Sequence, residues 1–479
     1  MKYIYLVIFL FIFSYSLKAQ NCSCDENFRQ LTEKIKKNYV GYSDKVNSYN
    51  SNQFQKFTDS LQKIASVSDA YRCMSLSREW LAFFKDKHID FGINFDKLST
   101  DSIKLFFQDV EKTQWSEVSL NAYLQKKNEK VDSLEGIWNH ENNTYKIGIV
   151  RDLSKKGLEF IGFIIKSDGL RWLPQQVKFR VAKIGNDYKT IYFGAGDHSI
   201  VFPTLVKTGE TIDFGFFGKW HKGEHKPTNT KTTSYQRNSL AKFVKIDEET
   251  ALLALPSFNS KYKHEIDSLI DKNKAIISNT KHLIIDVRDN LGGSTSTFES
   301  VIPYLYTNPI KVDGGKVLAT EDNIRNCYEK DYPFSTEKER EELRENAKKL
   351  RAHLGELYLL YKPRTIKLTK VFNSPERISI LINNGTASSG ELFILRAEQS
   401  KKVTLYGQNT AGIVDYGELV KLNLSCGFLT VVYPASKSLH SIKRPLDNIG
   451  IKPDVAIPEN ITDWIKFVIN YKNPNHGKE

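Results

Sequence analysis

The stretch His282-Leu-Ile-Ile-Asp-Val-Arg-Asp-Asn-Leu-Gly-Gly-Ser294 joins a short apolar run to a polar loop with two adjacent glycines. The run predicts a buried strand, because it is continuous, short and rich in isoleucine. Paired glycines let the backbone turn tightly and expose N–H groups. On its own, the pattern is that of an ordinary strand–helix turn. It is not a dinucleotide-binding fingerprint, because G-x-G-x-x-G is absent.

A second loop, Asn384-Gly-Thr-Ala-Ser-Ser-Gly-Glu391, lies between an apolar run and an apolar helical segment. Its small residues would leave Ser388 unobstructed at the start of a helix. Free N–H groups and the helix dipole favour developing negative charge at such a position. Serine also caps helices routinely. This loop alone therefore does not distinguish a nucleophile from a helix cap.

The sequence around these loops alternates between strand-like and helical segments. Strand-like runs at 250–258, 282–289 and 377–384 are each followed by apolar residues at helical spacing. Two alternating, strand-like runs follow within 418–436. This order predicts an α/β core over residues 240–479.

Four motifs in this half resemble those of the C-terminal-processing-protease and tricorn-core family of serine peptidases. The family has D-x-R-x-N-x-G-G at a strand end, T-A-S-x-x-E around the nucleophile, G-x-x-T-x-G after the next strand, and G-[VI]-x-P-D near the end. They correspond here to residues 286–293, 386–391, 407–412 and 450–454. No single motif is specific, but four in the same order are.

The resemblance implies that Ser388 is the nucleophile, three places before Glu391. In the family, the oxyanion is held by the N–H after the nucleophile and by an N–H of the Gly-Gly loop. These groups correspond to Ser389 and to Gly292 or Gly293. Loss of one such donor typically lowers the rate by about 10²–10³.

The residue at the general-base position of one branch of the family is different in this chain. The processing-protease branch has a Lys shortly after T-x-G, where this chain has Ile413. The tricorn-like branch uses a His from far upstream, and residues 83–92 (FFKDKHIDFG) resemble that segment, which implies His88 as the base. A Ser stands beside the His in that branch, where this chain has Lys87. The implied orienting acid is Asp447, just before G-[VI]-x-P-D; the alternative is that Asp447 only braces a loop.

Other arrangements and functions stay open from the sequence. Ser388, Asp415 and His440 follow the Ser–acid–His order of α/β-hydrolases, but Thr386 replaces the first Gly of G-x-S-x-G. His88 could also be a structural surface histidine. A non-catalytic binding protein on a peptidase scaffold is one alternative function, as in the retinoid-binding relatives. An esterase that uses Ser388 is the other.

The remaining chain is divided by its patterns into four further parts. Residues 1–19 have an early Lys, an apolar run and a small residue at the end, which predicts a signal peptide, with an uncleaved anchor as the alternative. Residues 20–128 predict a helical N-terminal region that ends in the His88 segment. Residues 132–226 predict a small antiparallel β domain, a barrel or a sandwich, without the carboxylate loop of a PDZ module. Residues 227–239 predict a linker.

The signal predicts an exported protein, periplasmic or extracellular, with no stable membrane span after signal removal. In an oxidising compartment, Cys22 and Cys24 could each pair with Cys73, and the odd count of five cysteines leaves at least one thiol free.

The charge does not indicate a nucleic-acid partner. Net charge is +13, and it falls to +11 without Lys2 and Lys18; the lysines are interleaved with acids, as in a predicted surface helix at 336–353. An H-x-x-E-H match at 221–225 contains Gly223 and precedes Pro227, which disfavours the helix that zinc ligation needs there. We therefore expect no metal and no cofactor.

Together these patterns predict an α/β peptidase core of the processing-protease type, with an N-terminal helical region and a small antiparallel β domain. The expected function is that of an exported serine endopeptidase acting on protein or peptide substrates.

Overall fold

The computed structural model describes residues 22–127, 131–185, 187–223, 241–458 and 460–471. The predicted signal peptide and linker lie outside these residues. The helices are α1 (Cys24–Asn38), α2 (Tyr42–Lys45), α3 (Ser51–Ala65), α4 (Ala70–Ala82), α5 (Thr100–Phe106), α6 (Glu117–Lys127), α7 (Lys263–Lys272), α8 (Lys274–Ile277), α9 (Ile302–Leu305), α10 (Glu321–Cys327), α11 (Glu337–Arg351), α12 (Ser389–Ala397) and α13 (Trp464–Asn470). Within the described ranges, none of them is long and apolar enough to cross a membrane.

The strands of the first half are β1 (Asp90–Ile93), β2 (Gly136–His140), β3 (Lys146–Arg151), β4 (Phe160–Lys166), β5 (Val177–Ile184), β6 (Asp187–Phe193), β7 (Ile200–Val201), β8 (Thr204–Thr208), β9 (Thr211–Asp213) and β10 (Lys219–Lys222). Those of the second half are β11 (Lys242–Lys245), β12 (Thr250–Ala254), β13 (His282–Asp286), β14 (Ile310–Val312), β15 (Gly315–Leu318), β16 (Leu357–Tyr361), β17 (Arg364–Ile366), β18 (Arg377–Ile382), β19 (Val403–Gly407), β20 (Tyr416–Asn423), β21 (Leu429–Ser438) and β22 (Val455–Ala456).

The predicted antiparallel β domain is an eight-stranded barrel. Its strands follow the order β5-β4-β3-β2-β10-β9-β8-β6, and pairing of β5 with β6 closes the ring; β7 pairs with the end of β6 in the same register as β8. Every pairing in it is antiparallel. Large aromatic side chains fill the interior, because a barrel of eight strands is just wide enough for side chains to pack it; they include Trp138, Trp172, Phe179 and Trp220.

The predicted α/β core contains a six-stranded sheet in the order β11-β12-β13-β18-β19-β22. β12, β13, β18, β19 and β22 run parallel, and β11 is antiparallel at one edge. β13 is buried along its whole length, which explains its unbroken apolar run. Side chains of α7, α9 and α12 cover one face, and α13 covers the other. The Gly-Gly loop and the Ser388 loop follow the neighbouring strands β13 and β18, at the same edge of this sheet.

The two alternating runs within 418–436 are β20 and β21, and they belong to a separate antiparallel sheet rather than to the parallel one. This sheet has the order β1-β21-β15-β16, and β20 also pairs with β21. β1 comes from the N-terminal region and is paired in register from Asp90 with Val432 to Ile93 with Leu429. Helices α1, α3 and α4 share one hydrophobic core with this sheet and with α10 and α11. The helical region is therefore built into the C-terminal half.

Two disulfides join the N-terminal residues to distant parts of the chain. Cys24 pairs with Cys73, one of the two pairings left open by the sequence, and Cys22 pairs with Cys426, which the sequence did not suggest. The remaining cysteine, Cys327, is a buried free thiol.

Candidate active site

Ser388 lies at the junction of a strand and a helix. β18 ends at Ile382, and α12 begins at Ser389. The Ser388 backbone has a φ of 53° and a ψ of −120°, a conformation that costs a non-glycine residue on the order of 1–3 kcal/mol. Its carbonyl accepts the first bond of the helix, from the Leu392 N–H at 3.0 Å. The side chain is half-buried at the N-terminal end of the helix.

Glu391 holds this turn against the loop that carries the T-x-G motif. Its carboxylate is fully buried and accepts the N–H groups of Ser388 (3.1 Å), Gly412 (2.9 Å) and Ile413 (2.9 Å). The Thr410 hydroxyl donates to it at 2.6 Å. Four donors satisfy a carboxylate that would otherwise be costly to bury. Glu391 therefore holds the nucleophile motif and the T-x-G motif together, because its carboxylate accepts hydrogen bonds from both.

The Gly-Gly loop lies directly against the nucleophile turn. Gly292 has a φ of 91°, and a Cβ atom there would lie 2.7 Å from the Ser389 nitrogen and 2.9 Å from the Ser388 Cβ. The glycine thus leaves a space in front of Ser388 and the Ser389 N–H. The Gly292 N–H donates to Asn290 Oδ1 at 2.9 Å, which favours Gly293 as the second oxyanion donor. The Ser389 hydroxyl donates to the Gly293 carbonyl at 2.6 Å and fixes the loop.

The His88 segment reaches the same loops from the N-terminal region. It forms the turn between α4 and β1. Lys87 Nζ donates to the Ala411 carbonyl at 2.6 Å, and the Ala411 N–H donates to the Thr386 carbonyl at 2.9 Å. Asn448 donates to the Lys85 carbonyl at 2.6 Å. The turn is therefore bonded to the loop that carries the T-x-G motif and to the loop just before the G-[VI]-x-P-D motif.

Two carboxylates influence the His88 imidazole. Burial lowers the pKa of His88, while the charges of Asp86 and Asp447 act in the opposite direction. The side chain is thereby kept neutral near pH 7, as a general base must be. Within the described part of the chain, no hydrogen bond joins the His88 ring to Ser388 or to Asp447. Bonds of this kind often tighten only when substrate is bound.

Asp447 is paired with a cation from the N-terminal helices. Lys45 Nζ lies 2.5 Å from Asp447 Oδ2, and the Asp447 N–H donates to Asp415 at 3.1 Å. Burial raises the pKa of Asp447, although Lys45 opposes this shift; the charges of Asp86 and Asp415 add to it.

Asp86 is a residue of this site that the sequence analysis missed. Its Oδ1 accepts the backbone N–H of His88 at 2.9 Å, and its Oδ2 accepts the Tyr39 hydroxyl at 2.8 Å. Asp86 is buried, and it is hydrogen-bonded to the His88 backbone, whereas no hydrogen bond among the described residues joins Asp447 to His88. The D-x-H spacing just before β1 was the available signal.

The rival set of Ser388, Asp415 and His440 is only partly brought together. His440 Nε2 lies 2.8 Å from Asp415 Oδ1, but its Nδ1 lies 2.6 Å from the hydroxyl of Ser438. Both ring nitrogens are thus engaged, and neither contacts Ser388. The α/β-hydrolase arrangement fails because the buried acid–His pair holds a different serine.

The H-x-x-E-H match at 221–225 begins in a strand rather than in a helix. His221 lies in strand β10 and its Nδ1 is 3.2 Å from the Thr211 hydroxyl, so this segment is not the helix that H-x-x-E-H requires. His225 lies outside the described residues. Across the described ranges, no three His, Cys, Asp or Glu side chains are grouped so that they could hold a metal ion.

Comparisons with known proteins identify the family. Residues 249–457 match the model of Peptidase family S41, and no curated protein matches the chain. Among solved structures, mature CPAF has 11% identity and a TM-score of 0.47, over 91% of this chain and 93% of CPAF.

Two other structures are similar at comparable levels. A lipoprotein from Streptococcus agalactiae has 12% identity and a TM-score of 0.38, over 95% of each chain. The photosystem II D1 C-terminal processing protease has 13% identity and a TM-score of 0.37, over 91% of this chain and 93% of that protease. By the match to the family model, residues 249–457 belong to peptidase family S41, a family of serine-type peptidases.

Proposed function

We propose that this chain is an exported serine endopeptidase that hydrolyses peptide bonds through an acyl-enzyme on Ser388, with His88 as general base. The observation that carries the proposal is the space left by Gly292 between the Gly-Gly loop and the Ser388–Ser389 turn. A tetrahedral oxyanion formed on Ser388 would fit that space, within reach of the Ser389 N–H and an N–H of the Gly-Gly loop.

In the first half of the reaction, His88 takes the Ser388 proton as the hydroxyl oxygen attacks the peptide carbonyl carbon. The carbonyl π electrons move to oxygen, and the N–H groups of Ser389 and Gly293 stabilise that charge. When the intermediate collapses, the C–N bond breaks and His88 gives its proton to the leaving amine.

In the second half, water attacks the acyl-enzyme while His88 accepts one of its protons. Collapse of the second intermediate breaks the ester bond, and His88 returns the proton to Ser388. The carboxylate of Asp447 would stabilise the imidazolium that forms in each half. No step uses Ile413, which stands where the processing-protease branch has its lysine.

Export is supported by the two disulfides. Structural disulfides persist in oxidising compartments and are rare in the cytosol. Four of the five cysteines are paired, and the first of them lies soon after the predicted signal peptide.

The proposal is tested by hydrolysis of a peptide library and of a matched ester, with wild type, Ser388→Ala, His88→Ala and His440→Ala. Ser388→Ala and His88→Ala should each lose on the order of 10⁴- to 10⁶-fold in kcat, and His440→Ala should keep turnover. Ester turnover without peptide turnover would instead indicate an esterase. No Ser388-dependent turnover from pH 6 to 9 would indicate a binding protein on a peptidase scaffold.

A further inference from the structure

We propose that Lys45 is a positioning residue of this active site, which holds Asp447 beside His88 through a direct ion pair. The inference rests on the proposed function, and it assigns a role to α2, a helix that carries none of the family motifs. Lys45 would act on the reaction only through Asp447.

The geometry of the pair supports such a role. Lys45 Nζ is 2.5 Å from Asp447 Oδ2 across 402 residues of sequence, and the two side chains are only 20% and 15% exposed. The neighbouring Asp44 does not compete for Lys45, because its Oδ2 accepts the Tyr416 hydroxyl at 2.9 Å and Lys437 Nζ at 2.8 Å. A pair this sheltered from water is screened little by salt.

The surroundings of Asp447 explain why it needs a cation. Asp86 and His88 face it from the turn between α4 and β1, and Asp415 from the loop before β20. The phenols of Tyr39, at the end of α1, and Tyr416, in β20, are also within electrostatic range of Asp447. Two of these neighbours are carboxylates, and like charges close together favour protonation. Lys45 opposes that effect by direct contact.

Loss of Lys45 should therefore let Asp447 take up a proton at a higher pH. A neutral Asp447 would no longer stabilise the His88 imidazolium that forms when Ser388 is deprotonated. The reaction would then require a higher pH, at which Asp447 is again ionised.

The test is the pH profile of the rate at which a fluorophosphonate probe labels Ser388, in wild type, Lys45→Met and Lys45→Arg. In Lys45→Met, the acid-side midpoint should rise by about one unit, so that labelling on the acid limb is roughly tenfold slower. Lys45→Arg should restore the wild-type midpoint. The matched control is Lys34→Met, which removes another ion pair between an N-terminal helix and the C-terminal half, that of Lys34 with Asp322 at 2.8 Å, and should leave the midpoint unchanged. An unchanged midpoint in folded Lys45→Met would overturn the proposal.

Two further measurements test the proposal if Lys45→Met does not fold or if Ser388 does not react. If Lys45→Met does not fold, Lys45→Met/Asp447→Asn leaves neither member of the pair as an unpaired charge, and it must have the same pH profile as Asp447→Asn alone. A further shift in the double variant would overturn the proposal. Titration of ¹³C-labelled Asp carboxyls, with Asp447→Asn to identify the signal, must show a higher Asp447 pKa in Lys45→Met. That titration needs no turnover, so failure of the Lys45 proposal is separable from failure of Ser388 to react.

Discussion

At the scale of single residues, Gly292 occupies a position in the site that requires glycine. Its φ of 91° favours glycine. The absent Cβ also keeps open the space beside the Ser388 side chain and the Ser389 N–H. Glycine is thus needed at this position for the reaction as well as for the turn.

We predict that Gly292→Ala lowers kcat by about 10²–10³, the usual effect of losing an oxyanion donor, because the added Cβ would block access of the oxyanion to the Ser389 N–H. The measurement is kcat with a peptide substrate, together with the thermal midpoint. The control is Gly355→Ala, because Gly355 has a φ of 87° but nothing within 4 Å of the added Cβ. Both variants should lose stability because of the positive φ, and Gly292→Ala should lose more, because its Cβ also meets backbone atoms; only Gly292→Ala should lose turnover. Equal activity in the two would contradict the role given to Gly292.

At the scale of elements, the buried carboxylate of Asp415 fixes the loop that carries Asp447. Asp415 accepts the N–H groups of Leu446 and Asp447 as well as the His440 ring. Burial acts to raise the pKa of Asp415, but these hydrogen bonds outweigh it and hold the pKa below its ordinary value.

The sign of the pH dependence follows from that shift. A carboxyl whose pKa is lower in the folded state stabilises the protein above its unfolded pKa, about 3.9, and loses this contribution as pH falls through the folded pKa. We predict that Asp415→Asn lowers the free energy of unfolding at pH 7 by about 1.5–3 kcal/mol, the range for hydrogen bonds to a charged group. The difference from wild type should shrink below about pH 4.

Urea unfolding at pH 7 and pH 3 measures this difference. Asp247→Asn is the control, since Asp247 also has a lowered pKa from backbone N–H groups but is fully exposed. A difference for Asp415→Asn that is as large at pH 3 as at pH 7 would contradict the assignment.

The elements also show what could be predicted from sequence. The strand before Asp286, the strand before the Ser388 loop and the antiparallel domain were predictable, because apolar periodicity reports burial directly. The pairing of β1 with β21 was not, since nothing in the four residues of β1 encodes a partner more than 300 residues away. The roles of Asp86 and Lys45 depend on that pairing and on the packing of α2. The sequence therefore indicated His88 only because the segment around it resembles that of a known family.

At the scale of the whole molecule, the disulfides and the shared core hold the N-terminal helices on the C-terminal sheet. Cys22–Cys426 joins the segment before α1 to the turn between β20 and β21, across 404 residues. Asn27 reinforces the link, because its side chain accepts the Cys426 N–H at 3.2 Å. The segment that carries His88 is thus part of the same hydrophobic core as β21.

We predict that Cys22→Ser/Cys426→Ser lowers the free energy of unfolding by about 2–5 kcal/mol, as is typical for loss of a native disulfide. Cys327→Ser, which removes only the free thiol, should have a smaller effect. Thermal unfolding without reductant compares the two variants. Thiol titration of the denatured, unreduced protein should find one free thiol per chain, and three or more would contradict the pairing.

The roles of Ser388 and His88 are tested most directly by locating the adduct of a fluorophosphonate probe with peptide mass spectrometry. We expect a single labelled serine, Ser388, with labelling abolished in His88→Ala and retained in His440→Ala. Labelling of Ser438, or labelling of Ser388 that survives His88→Ala but not His440→Ala, would contradict it.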